Sequence, residues 1–295
     1  MGMVATRETL RFSNDNKKLD KINDWYVPMF GRMARVYSLS LPSGWTCPFA
    51  KDCLSKADRE TGRITDGIEA HFRCFAATME AWNAAYRKKI WWNFDLIRPM
   101  GYEELVEAIY QSIQEELPRV ANLVRPGVGG DFFNGRYFKA WMEVASMFPD
   151  IHFYSYTKSL PYWIDNADLI PDNYTLTASR GGSHDELIDI HGLKCAEVVF
   201  SVEEAAEKGL EIDYDERHAI IGKESFALLI HGTQPKGFWG RVASAKENPT
   251  DEELQLIEEA LLHWWEFAEE EEAQKGRAVW DRIVSFIAER KVNDA

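Results

Sequence analysis

Six short apolar runs recur along the chain, at 36–41, 120–125, 151–157, 174–179, 196–201 and 226–231, and each is followed by polar or glycine residues. They are continuous rather than alternating, which marks strands covered on both faces and therefore a parallel sheet. Between them the apolar period changes to that of helices. Leu105, Ile109 and Ile113 lie four apart within 102–117, and Phe138, Trp141, Val144 and Ala145 share one side of 137–148. An Ala- and Met-rich stretch at 75–87 and a further segment at 202–209 also read as helices. The alternation predicts an α/β fold, a partial (β/α)6 TIM-like barrel with parallel strands and C-terminal covering helices. A doubly wound open sheet is the alternative.

Residues 1–35 read as a polar N-terminal arm with at most a short helix, 36–245 as the barrel, and 246–295 as a helical extension. In the extension, Thr250 and Glu253 form a capping box ahead of Leu254, Ile257 and Leu261, and the glutamates at 269–272 read as a solvated face.

Composition narrows the function. With 295 residues, 45% of them hydrophobic, the chain can bury a large core. It carries 48 acidic and 34 basic residues, a net charge of -14, which speaks against a nucleic-acid partner as its main business while allowing a local basic groove. The Arg87-Lys88-Lys89-Ile90-Trp91-Trp92 segment is the place for such a groove, although Trp91 and Trp92 also fit a core. No apolar run approaches the roughly 18 residues of a membrane span. The first eleven residues have no signal-peptide core, so a reduced, cytoplasmic protein is expected.

Three of the four cysteines, Cys47, Cys53 and Cys74, lie in the connection from the first strand to the first helix. The gaps of five and twenty residues match no standard spacing, yet three thiols clustered in a turn-rich segment are placed to converge on one soft metal or cluster. Little apolar area lies between Asp52 and Ile68, so ordering of this segment is expected to depend on the metal. Cys195 precedes a strand, which puts it at the opposite rim as a core or surface thiol. His71 and His231 read either as candidate fourth ligands or as hydrogen-bonded structural histidines. The carboxyl ends of the strands, where βα loops meet in a parallel barrel, collect Cys47 and Cys53, then Gly129, Gly130 and Asp131, then Lys158, then Ser179 and Arg180, and last His231 and Gln234. Asp131 also reads as a strand-end cap, and Lys158 and Arg180 as partners of surplus acids.

A partial barrel with three cysteines starting in its first loop resembles the radical S-adenosylmethionine superfamily. That resemblance implies a [4Fe-4S] cluster on Cys47, Cys53 and Cys74 with one iron left open, although the thiols here are spaced more widely. Gly129-Gly130-Asp131 is similar to the superfamily's glycine-glycine-acid motif for the methionine amino group, and Ser179-Arg180 to its ribose contacts. A polar pocket bounded by Asp131, Lys158, Ser179 and Arg180, taking a small charged metabolite such as S-adenosylmethionine, follows from it. Leu41-Pro42-Ser43-Gly44-Trp45-Thr46-Cys47-Pro48, Gly130-Asp131-Phe132-Phe133 and Phe153-Tyr154-Ser155-Tyr156-Thr157-Lys158-Ser159 resemble the bacteriophage gene product 88 family. This implies a viral protein acting in the host cytoplasm. Three functions follow as expectations: an iron-sulfur protein with a redox partner or an enzymatic role, a phage scaffold with a structural zinc, and a nucleic-acid-transacting protein.

Overall fold

The computed structural model describes residues 8–14 and 20–235. The covering helices expected at 246–295 lie outside the described residues. Each of the six apolar runs forms a strand. With the two-residue β1 (Ser13–Asn14) they make one sheet: β2 (Val36–Leu39), β5 (Leu123–Pro126), β6 (His152–Thr157), β7 (Tyr174–Ser179), β8 (Cys195–Val199) and β9 (Phe226–Leu229). β3 (Ser55–Ala57) and β4 (Ile64–Asp66) pair separately as an antiparallel ribbon within the cysteine-bearing connection. The order in the large sheet is β1-β2-β5-β6-β7-β8-β9. All pairings are parallel except the one between β1 and β2. The parallel strands follow chain order without the reversal of a doubly wound sheet. Among the described residues β1 and β9 form free edges, so the sheet does not close into a barrel.

The nine helices of the described residues begin with α1 (Asp20–Phe30), in the segment that reads from sequence as an arm. The single helix expected at 75–87 is two, α2 (Phe75–Trp82) and α3 (Ala84–Ile97), because the Asn83 side chain accepts the Tyr86 amide and caps the second. Then follow α4 (Tyr102–Glu116), α5 (Gly135–Ser146), α6 (Leu160–Ile164), α7 (Glu186–His191), α8 (Val202–Glu207) and α9 (Arg217–Ile220). Asn134 and Ser201 cap α5 and α8 in the same way.

Strand register sorts the core into two faces. Leu39, Val124, Phe153 and Leu176 pack with Leu105 and Ile109 of α4 and Phe138 and Trp141 of α5. Leu10, fully buried, joins this core from the N-terminal strap. On the other face Val36, Leu123, Tyr154, Ala196 and Phe226 pack with Ile22, Trp25 and Tyr26 of α1 and Ala219 and Ile220 of α9. Each large apolar side chain buried in these layers contributes about 1.5–3 kcal/mol. Both faces of the sheet are therefore occupied, which leaves the carboxyl edge as the place where loops converge.

Candidate metal centre at the carboxyl ends of the strands

After β2 the chain crosses this edge and is tied to one strand end after another. The Leu41 amide donates to the Gly129 carbonyl at 2.8 Å and the Gly129 amide to Ser40 Oγ at 3.2 Å. Gly130 has φ +80, and a Cβ on it would collide with Thr46 Oγ1 and Leu41. Only glycine suits that turn and that approach. Further on, the amides of Lys51 and Asp52 donate to the Gly181 carbonyl at 3.2 and 3.0 Å, and the Ser183 amide to the Phe49 carbonyl at 2.9 Å. The His71 amide closes back on the Asp52 carbonyl at 2.7 Å. Gln234, beyond β9, brackets Arg73: its Oε1 accepts the Arg73 amide at 2.7 Å and its Nε2 donates to the Arg73 carbonyl at 3.2 Å. The rings of Phe75 and His231 meet at 4.4 Å. The cysteine-bearing connection thus spans the mouth from β2 to β9.

This path brings Cys47, Cys53 and Cys74 together as free thiols. Burial pushes the Cys47 thiol well above its ordinary range, and Asp131, Cys74 and Cys53 push the same way, while the Gly44 amide, 3.3 Å from its sulfur, offsets a little. Burial and then the neighbouring Cys53 push Cys74 up to about 12, against the pull of the Ala76 and Ala77 amides at the start of α2. Thiolates would therefore crowd negative charge into an enclosed place. Such an arrangement suits a bound cation, whose charge reverses the local balance. Among the described residues no group of three or more His, Cys, Asp or Glu side chains is arranged to hold a metal ion.

The other strand-end residues also meet, chiefly through one another. Asp131 is buried, and its Oδ1 accepts from Thr157 Oγ1 at 2.6 Å and the Phe132 amide at 2.7 Å, while Oδ2 accepts the Lys158 amide at 2.8 Å. Burial raises its pKa and these donors oppose the rise. Lys158 Nζ donates to Ser179 Oγ at 2.6 Å and to the Ser179 and Arg180 carbonyls at 3.0 and 2.8 Å. The Arg180 guanidinium pairs with Asp189 at 2.9 Å and Glu197 at 3.8 Å. His71 is mostly exposed, with Nδ1 3.5 Å from Asp52. Cys195 opens β8, yet the stagger of the sheet sets it level with Ala178 near the end of β7. It packs against Leu160 and Ile188 beneath α6 and α7 instead of lying at the opposite rim, and it is not among the groups that shift Cys47 or Cys74.

Two parts of this centre are not anticipated by the sequence reading. The segment between Asp52 and Ile68 is ordered by the β3–β4 ribbon, in which Ser55 and Ala57 are fully buried and Ser55 Oγ accepts the Cys74 amide at 3.1 Å. Arg87 clasps its turn, donating Nε to the Arg59 carbonyl at 2.9 Å and Nη2 to the Glu60 carbonyl at 3.2 Å. The second is Glu80. Oε1 accepts the Ser43 amide at 2.8 Å, Oε2 has no partner, and burial raises the carboxyl pKa to about 7. Its signal in the sequence is a lone charge in the otherwise uncharged 75–82 helix that follows Cys74.

A model of the family described as Gene product 88 matches residues 6–252. No curated protein and no solved structure matches the chain.

Proposed function

The chain belongs to the bacteriophage gene product 88 family, and from that premise we propose that it carries a [4Fe-4S] cluster on Cys47, Cys53 and Cys74. One observation carries the reading: three free thiols from separate turns are held within reach of one another's charge at the strand-end mouth. The donor set fits the group, since thiolates are the usual protein ligands of such clusters. Thiolates suit zinc as well, so a structural zinc on the same three residues is the second reading. When bound, the group would supply one-electron chemistry and, with three protein thiolates, an iron open to a further ligand.

The chain's own residues fix this centre. Gly130 lets the loop after β5 approach Thr46, Ser55 holds the Cys74 amide, and Lys158 joins the ends of β6 and β7. The six parallel strands in chain order are the basis for reading the sheet as part of a (β/α) barrel. S-adenosylmethionine or another small charged metabolite is the proposed exogenous ligand, and a host redox protein the proposed electron partner. All four cysteines being free fits a reducing host cytoplasm. Among the described residues no helix is long and apolar enough to cross a membrane.

The test is anaerobic isolation and reconstitution, followed by iron and acid-labile sulfide assay and electron paramagnetic resonance. Cys47→Ala, Cys53→Ala and Cys74→Ala should each lose iron, whereas Cys195→Ala should retain it. Equal iron in the Cys53→Ala variant and the parent would sink the assignment. Zinc in place of iron on elemental analysis would favour the second reading. Titration of the loaded protein with S-adenosylmethionine, read by calorimetry and by the spectrum of the reduced cluster, tests the ligand.

A further inference from the structure

We infer that the outer face of the β3–β4 ribbon is a binding surface for single-stranded nucleic acid. The inference stands apart from the metal centre. The ribbon's inner residues, Ser55 and Ala57, are buried, and strand alternation turns Lys56, Arg63 and Thr65 outward. An exposed tryptophan flanks the ribbon on each side. Trp45, 49% exposed, donates its indole N–H to the Ala57 carbonyl at 3.0 Å and lies beneath Lys56 Nζ at 4.9 Å. Trp82, 58% exposed, follows Ala81, which the ribbon turn abuts at Gly62. Lys88 is exposed one residue beyond the Arg87 that clasps the turn.

Charge identifies the occupant. Residues 51–98 hold nine basic and seven acidic side chains, in a chain whose net charge is -14. The nearby acids are largely engaged: Asp66 pairs with Arg73 at 2.5 Å, and Asp95 with Arg59 at 2.6 Å and Arg98 at 3.3 Å. Asp58 is turned into its own loop, accepting from Thr61, and Glu60 lies beside Arg59 at 3.9 Å. Lys56, Arg63 and Lys88 make no ion pair of their own among the described residues. Cations without acids, beside two exposed indoles of which Trp45 is fixed by its bond to the Ala57 carbonyl, match a strand that offers phosphates and unstacked bases together. A duplex offers only the first. An acidic peptide would use the lysines and leave the indoles idle.

The test uses the full chain with labelled oligo(dT) and oligo(rU) followed by fluorescence anisotropy across a salt series. Three phosphate contacts predict that log K falls with log salt at a slope of about -2. Trp82→Ala should weaken binding on the order of 10-fold, as loss of one stacked base does. Lys56→Glu with Arg63→Glu should abolish binding at physiological salt and flatten the slope. Arg119→Glu, before β5 at the far end of the sheet, should leave it unchanged. Absence of low-salt binding to both oligomers would overturn the inference. So would equal competition by polyglutamate together with full affinity in Trp82→Ala, which would leave a surface for acidic peptides.

Discussion

Replacing Glu80 by Gln should make the protein more stable at neutral and alkaline pH while changing little at acid pH. Glu80 is fully buried on α2, and its pKa stands at about 7 instead of 4.5, with burial as the main cause and Ser43 and Arg87 opposing it. Because the folded pKa lies above the unfolded one, the native state holds the extra proton between these values. Stability from this group is therefore complete below about pH 4.5, falls as pH rises, and is lost above about pH 7. At about 1.4 kcal/mol for each tenfold change in proton affinity, keeping Glu80 ionised in the fold costs about 3 kcal/mol. Glutamine reproduces the protonated carboxyl, retaining an oxygen for the Ser43 amide and offering donors at the position where Oε2 has no partner. Urea unfolding of parent and variant under anaerobic reducing conditions gives the difference directly, because other titrating groups cancel. The two should coincide at about pH 4.5, and the variant should lead by about 3 kcal/mol at about pH 8, with unchanged m-values. Parallel profiles, or a variant weaker at both pH values, would refute the reasoning and mean that Arg87 keeps Glu80 ionised in the fold.

Gly130→Ala places a Cβ against Thr46 and Leu41 at φ +80, so it should cost about 1–3 kcal/mol. On the proposed cluster reading iron content per folded chain should fall with it, and normal loading in that variant would contradict the role given to the close approach. Arg87→Met strands the Arg59, Glu60 and Glu80 carbonyls and should destabilise by about 2–4 kcal/mol, with hydrogen exchange rising first in the β3–β4 ribbon. Leu10→Ala should cost about 2–5 kcal/mol in thermal or urea unfolding if the N-terminal strap belongs to the cooperative core. A silent substitution there would show that the strap frays independently.

The strands were legible because their apolar runs are unbroken and their ends are polar: 174–179 matches β7 to the residue, and 102–117 overshoots α4 by one position. What failed was local. α1 lies behind a polar stretch, and its buried residues Ile22, Trp25 and Tyr26 follow a three- and four-residue spacing obscured by the charges around them. The β3–β4 ribbon has strands of three residues, and the inner face shared by Ser55, Ala57, Ile64 and Asp66 holds one large apolar side chain, so no hydrophobic pattern announces it. It holds through its own backbone pairing and through Arg87, which reaches its turn from α3. The stagger that sets Cys195 level with Ala178 is likewise a property of the sheet, invisible in one strand.

The strand-end set was legible as a location and not as a chemistry, and the reason lies in what a polar side chain does at the end of a strand. Asp131 can satisfy either the backbone that turns away from the sheet or a ligand above it, and the identity of the residue is the same in both cases. Here its oxygens take the amides of Phe132 and Lys158 and the hydroxyl of Thr157. Lys158 spends its ammonium on the end of β7, and Arg180 turns toward Asp189. These bonds fix the strand-end loops to one another, and the cysteine-bearing connection is tied to that frame at Gly181, by Lys51 and Asp52, and at Gln234, by Arg73. Burial and mutual proximity keep Cys47 and Cys74 protonated in that frame, so the cation proposed for the site would have to displace their protons. On the proposed cluster reading, folding of the sheet and ordering of the ribbon would contribute what a metal would otherwise have to supply, and the binding energy would go into affinity instead of into ordering the chain.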